Sequence, residues 1–171
     1  MRFAGRCLAL VVVLAAFSGD RSARATTVSG SLSASLTVIA NCQFNTSPTL
    51  AFGNYDALSA TAVTGSANLS VTCTKDATAY VITINPGANG AGTGSSVTRA
   101  MKDPVSGNTA SYNLYQDSGY STVWGTTTAT GYSFSAAGTA GNTIPVYGKV
   151  PASQNITVGT YTDALTVTAN F

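Results

Sequence analysis

The chain has 171 residues, of which 8% are charged and 44% hydrophobic, with 17 glycines and no histidine. So little charge and so much apolar content exclude intrinsic disorder, and the length suits one domain. The formal charge of +2 arises at the N-terminus, where Arg2, Arg6, Arg21 and Arg24 outnumber Asp20. From residue 26 onward Lys75, Arg99, Lys102 and Lys149 face Asp56, Asp76, Asp103, Asp117 and Asp163, so no basic patch is left for nucleic acid. Histidine and glutamate, which carry most general acid–base catalysis and most transition-metal sites, are both missing. The composition therefore points away from an enzyme, a bound metal or a cofactor.

In chain order, Met1–Arg6 carries two arginines and Leu8–Phe17 is an unbroken apolar run, followed by small residues ending Ala23-Arg24-Ala25. This is the pattern of a secretory signal peptide, expected to be cleaved after Ala25. Ten apolar residues make about 15 Å of helix, roughly half a bilayer core, which is too short for a membrane span. Thr26–Ser35 follows, uncharged. Its even positions, continued through Leu36 and Val38, are mostly apolar (Val28, Gly30, Leu32, Ala34), and its odd positions from Thr27 to Thr37 are all Ser or Thr. Such alternation is a strand pattern. It fits a first strand within the chain's own sheet, or an extension that completes the sheet of another molecule.

Cys7 lies in the signal, which leaves Cys42 and Cys73 as the only pair in an exported chain. In an oxidising compartment they are expected to form one disulfide, and a redox pair would want closer spacing. The loop of about 30 residues it closes contributes on the order of 3.5–4 kcal/mol through loop entropy.

Strands are expected at Leu36–Cys42, Thr49–Phe52, Ala67–Thr74, Ala79–Asn85, Ser111–Gln116, Gly131–Phe134, Thr143–Val150 and Thr160–Phe171. Leu69, Val71 and Cys73 fall on one face of their strand. Tyr161, Leu165, Val167, Ala169 and Phe171 fall on one face of the last. Turn signals separate the runs at Asn85-Pro86-Gly87, Asn89-Gly90, Asp103-Pro104 and Ser106-Gly107. Short strands at this spacing predict an all-β antiparallel sandwich.

Other chemistry is weakly signalled. The Gly-rich stretch Gly90–Ser95 has no lysine after it and no helix pattern, so it does not match a phosphate loop. Trp124 with Tyr112, Tyr115, Tyr120 and Tyr132 could form a carbohydrate platform, although core and rim packing is the ordinary role of such residues in a sandwich. Asn45, Asn68 and Asn155 open formal glycosylation sequons.

Several stretches, taken in order, carry a resemblance: Asn41-Cys42, Leu50–Tyr55 (LAFGNY), Leu69–Thr74 (LSVTCT), Arg99-Ala100-Met101 and Ser111–Asp117 (SYNLYQD). Trp124-Gly125, Val146–Pro151 (VYGKVP), Gln154 and the ending Gly159–Phe171 (GTYTDALTVTANF) continue it. Together they resemble the spore coat protein U domain family, which includes subunits of archaic (Csu-type) chaperone–usher pili. The resemblance implies an immunoglobulin-like sandwich that lacks its final strand and is completed by a donor strand. A periplasmic chaperone would lend that strand first, and the extension of the next subunit would replace it at an outer-membrane usher. It divides the chain into a signal peptide (1–25), a donor extension (26–35) and a pilin domain (36–171). Val28, Leu32 and Ala34 become donor plugs, Gly30 a position where no side chain would fit, and Leu165, Val167, Ala169 and Phe171 part of the acceptor groove. The implied function is a shaft or adapter subunit of a cell-surface fimbrium supporting adhesion and biofilm formation, with other copies or related pilins as partners. The alternative is a secreted, self-sufficient spore-coat or surface-binding sandwich.

Overall fold

Residues 24–75 and 79–171 are described by a computed structural model. The expected signal peptide lies outside the described residues except for Arg24 and Ala25. The chain divides into two units at Leu36 and Thr37. In the first, Arg24–Leu36 carries neither strand nor helix. The second holds β1 (Cys42–Phe44), β2 (Val63–Cys73), β3 (Tyr80–Ile84), β4 (Arg99–Lys102), β5 (Thr109–Tyr115), β6 (Tyr132–Phe134), β7 (Asn142–Val150) and β8 (Val167–Asn170). Among the described residues the helical content is two single 3-10 turns, Gly94–Ser96 and Gly138–Ala140.

The strands form two antiparallel sheets. One has five strands in the order β1-β2-β7-β5-β4, and the other three in the order β6-β3-β8. Period-two burial explains why they stack. Leu69, Val71 and Cys73 of β2, Tyr112 and Leu114 of β5, and Ile144, Val146 and Val150 of β7 meet Tyr80, Ile82 and Ile84 of β3 in one core. Trp124 is fully buried beside them; its indole N–H donates to Ile82 O at 3.0 Å and its ring stacks on Tyr132 at 5.3 Å. The expected all-β sandwich is the observed architecture.

Cys42 and Cys73 stand opposite each other in the β1–β2 ladder and are joined by a disulfide. The bond ties a three-residue strand, which a few ladder hydrogen bonds would hold poorly, to the longest strand of the molecule.

Three expectations are corrected. Leu36–Cys42 is a strand only at Cys42: residues 36–41 are exposed and the ladder register begins at Cys42, with Asn41 O accepting from the Thr74 N–H at 2.8 Å just ahead of it. Thr49–Phe52 is no strand either. Gly65 of β2 and Gly148 of β7 face each other in register, and this side-chain-free patch seats the segment. A Cβ on Gly148 would stand 2.7 Å from the Phe52 ring and 2.9 Å from a Leu50 methyl; one on Gly65 would stand 2.7 Å from Ala51 O. Leu50–Phe52 thus crosses the inner face of the sheet, and Phe52 meets the Tyr112 ring edge-on at 5.8 Å. Finally, the last strand is shorter than Thr160–Phe171. Its first part makes one isolated bridge, Thr162 to Lys102, before β8 begins at Val167.

Two turn carboxylates fasten loops. Asp103 accepts from the Ser106 hydroxyl at 2.6 Å and the Ser106 amide at 2.9 Å, and these bonds hold its carboxyl below the ordinary value. Asp117 accepts from the Thr122 amide at 2.8 Å and from the Ser121 amide, and is likewise lowered. A carboxyl whose folded pKa is depressed contributes stability above its unfolded pKa, and that contribution is lost as pH falls through the folded value. Urea midpoints should therefore decline below about pH 4–5, and the decline should be shallower in Asp103→Asn and Asp117→Asn.

The glycine seat gives a second expectation. Gly148→Ala forces a methyl into the Phe52 ring and should destabilise by about 1–3 kcal/mol, read as a lower urea midpoint at unchanged m-value.

Candidate functional site: the unpaired edge of the sandwich

A strand at the end of a sheet has satisfied backbone groups on one side only. β8 is such a strand, paired with β3 through Val81↔Asn170, Ile82↔Ala169, Thr83↔Thr168 and Ile84↔Val167, and without a ladder partner on its other side among the described residues. In the five-stranded sheet, β1 is likewise terminal. Several residues packed against the core are incompletely covered. Phe44 of β1, Leu50, Phe52 and Tyr55 of the crossing segment, and Val63 of β2 are only partly buried. So are Leu165, Val167 and Ala169.

The structure brings the four groove residues expected from sequence onto one strand and its approach. Leu165, Val167 and Ala169 pack against the core while remaining partly open, and Phe171 is 63% exposed with its ring 5.8 Å from that of Tyr80. Opposite them Thr162, Thr166 and Thr168 are exposed. The expected donor residues lie in the first unit, where Val28 and Leu32 are each 96% exposed, Ala34 is exposed, and Gly30 has nothing within 4 Å of where a Cβ would stand. Val38 and Ile39, ahead of β1, are 72% and 74% exposed.

Sequence reasoning missed the polar framework behind this edge. Arg99 of β4 is 1% exposed, the only fully buried charged side chain of its size among the described residues. Its Nη2 donates to Ile84 O at 2.8 Å and to Trp124 O at 2.9 Å, Nε to Asn85 O at 3.0 Å, and Nη1 to Asn113 Oδ1 at 2.7 Å. Loss of hydration pushes the guanidinium down to about 10, against the attraction of Tyr112 and Asp163. The Tyr112 hydroxyl, itself pushed upward mainly by burial, donates to Asp163 Oδ2 at 2.8 Å. The available signal was a lone arginine followed by apolar residues in a chain with little charge.

Other candidates resolve simply. Trp124 and Tyr112 are core residues, whereas Tyr115 and Tyr120 pair edge-on at 5.5 Å with the Lys149 ammonium 5.5 Å from the Tyr120 ring. The glycine-rich stretch forms the Ala91–Thr98 bridge around a 3-10 turn. The Asn45 side chain is occupied by the hydroxyls of Ser70 and Thr72. No cluster of three metal-ligating side chains occurs among the described residues.

The sequence pattern of the Spore Coat Protein U domain family matches residues 28–168. Protein U of Myxococcus xanthus is 40% identical over 130 residues, covering 72% of this chain and 72% of that protein. A solved structure, the CsuC–CsuE chaperone–tip adhesion subunit pre-assembly complex from the archaic chaperone–usher Csu pili of Acinetobacter baumannii, contains a similar chain. The TM-score is 0.51 at 22% identity, over 79% of this chain and 40% of that one. At that identity the likeness is one of fold. The chain belongs to the Spore Coat Protein U domain family.

Replacing Arg99 tests the polar framework. A lysine ammonium offers three donors from one point and cannot span acceptors arranged for a planar fork. Arg99→Lys should therefore cost about 2–4 kcal/mol, as at least one or two buried acceptors lose their partners, measured by equilibrium urea unfolding.

Proposed function

We propose that this Spore Coat Protein U domain chain is an exported structural subunit, shaft or adapter, of a cell-surface chaperone–usher pilus, and that it polymerises by donor-strand exchange. The observation that carries the reading is β8: an edge strand with one bare side, flanked by partly uncovered core residues. An open edge beside an apolar surface invites aggregation unless a strand covers it. The likeness to a chain from a chaperone–subunit complex agrees with this reading in fold.

Thr26–Ser35 supplies a strand of suitable chemistry. It is uncharged and alternating, and its aliphatic side chains are exposed. Burying a Val or Leu side chain contributes about 1.5–3 kcal/mol, so Val28 and Leu32 would between them favour the exchanged state, with Ala34 and the side-chain-free Gly30 fitting shallower places. The acceptor positions are Leu165, Val167, Ala169 and Phe171. The contact is head-to-tail and does not close on itself, so it yields filaments. In this scheme a periplasmic chaperone occupies the edge first and an outer-membrane usher catalyses the exchange. The resulting fimbrium serves adhesion and biofilm formation. The family's name carries a second reading, a secreted spore-coat sandwich that is complete by itself.

The two readings separate in urea unfolding of Leu36–Phe171 alone and of the same chain with a flexible linker and Thr26–Ser35 appended after Phe171. The pilus reading expects the first to aggregate or unfold at low urea, and the second to be a monomer with a much higher midpoint. Two equally stable monomers would sink strand exchange and leave the self-sufficient coat protein.

A further inference from the structure

The buried Arg99 has no role in the strand-exchange reading, yet two of its four hydrogen bonds, to Ile84 O and Asn85 O, lead toward the head of β8. It fixes the end of β3 by binding both Ile84 O and Asn85 O. Asn85 in turn holds Thr166, the residue before β8, in both directions. Its backbone N–H donates to Thr166 O at 3.0 Å, and its side-chain Oδ1 accepts from the Thr166 N–H at 2.9 Å.

Three residues earlier, Asp163 accepts from the Tyr112 hydroxyl at 2.8 Å and from the Ala88 N–H at 3.2 Å. Tyr112 is itself the ladder partner of Arg99. Gly87, with φ at +83°, leaves room for this carboxylate, because a Cβ there would collide with it. At the far end of the strand, Asn170 Nδ2 donates to Val81 O at 3.1 Å and to Thr83 Oγ1 at 3.3 Å.

We propose that Arg99, Tyr112, Asp163 and Asn85 form a polar clamp that sets the position of β8 before a partner strand arrives, so that the accepting edge is ordered while still half-covered. Arg99, Tyr112 and Asp163 are positioning residues: Arg99 acts on the edge through Asn85 and Thr166, and Tyr112 acts through Asp163, which lies in the approach to β8. The inference rests on β8 being the accepting edge, as proposed above. The physical need is clear. An edge strand with one ladder and an incomplete apolar cover tends to fray, and ordering it at the moment of binding would subtract from the affinity for the incoming strand. A polar anchor at each end supplies that order without occupying the apolar positions the partner needs.

The test uses the exported chain, residues 26–171, with hydrogen exchange followed peptide by peptide and the synthetic peptide Thr26–Leu36 as the incoming strand. Tyr112→Phe removes only the hydroxyl and keeps the ring against Phe52, so it is the variant least prone to misfold; Asp163→Ala removes both bonds of the carboxylate. The clamp predicts that exchange over Leu165–Phe171 rises about tenfold in each, the size expected for losing a hydrogen bond to a charged group, while β2 and β7 change less than about twofold. It also predicts peptide binding weakened by a similar factor. Uniform acceleration across all strands would reduce the network to a general stabilising element and overturn the clamp, as would unchanged exchange in β8. If the parent chain takes up no peptide at all, strand acceptance fails separately, and the exchange pattern of β8 still decides the clamp.

Discussion

One constraint runs through this molecule. Every backbone N–H and C=O near an apolar core has to find a partner, and among the described residues β8 has a ladder on a single side only. The three-stranded sheet covers a five-stranded one, so part of the apolar surface of the larger sheet is closed by something other than strands. The crossing segment Leu50–Phe52 does part of this, laid over the Gly65–Gly148 pair where side chains would otherwise stand. Phe44, Val63, Leu165, Val167 and Ala169 remain only partly buried. The proposed assembly would answer that shortfall, because an incoming strand would pair with the bare edge of β8 and cover apolar residues at the same time.

The polar interior answers the same shortfall from the other side. A buried guanidinium is expensive to desolvate, and its pKa, depressed to about 10, records that cost. Four hydrogen bonds to groups of β3, β5 and the Trp124 backbone offset it. An aliphatic residue would have avoided the penalty but could not have tied those segments to one point. The Tyr112–Asp163 bond and the Asn85–Thr166 pair extend that fixed point to the head of the edge strand. The disulfide does comparable work at β1, the terminal strand of the other sheet. β8 and β1, each at one end of its sheet, are thus held by something stronger than their short ladders.

Alternation made the fold class legible in sequence, because a strand half-buried on a core has to repeat every two residues. Leu69, Val71 and Cys73 are buried together as that rule requires, and the Cys42–Cys73 bond is the pairing that the cysteine count implies for a chain expected to be exported. The same rule failed where a segment satisfied the pattern without a ladder to join. Thr49–Phe52 alternates, but packs on glycines of a neighbouring sheet. Leu36–Asn41 alternates in part, yet is exposed. β4 carries no apolar alternation, since a cation stands at each of its ends, and only the fold makes Arg99 the best-buried charge among the described residues.

The sequence by itself therefore determined what local chemistry determines: an all-β chain, the disulfide partners, the apolar face of the last strand, and an alternating N-terminal segment fit to be a strand. It determined these because side-chain period, turn residues and thiol count are properties of neighbouring positions. Only the tertiary structure decided that β8 is terminal in its sheet, that Gly65 and Gly148 meet to seat Phe52, and that Arg99, Tyr112, Asp163 and Asn85 converge at the head of that strand. Those are contacts between residues up to 96 positions apart in the chain, like that of Tyr55 with Pro151. Nothing in a local pattern states which distant backbone groups a folded chain will bring into hydrogen-bonding distance.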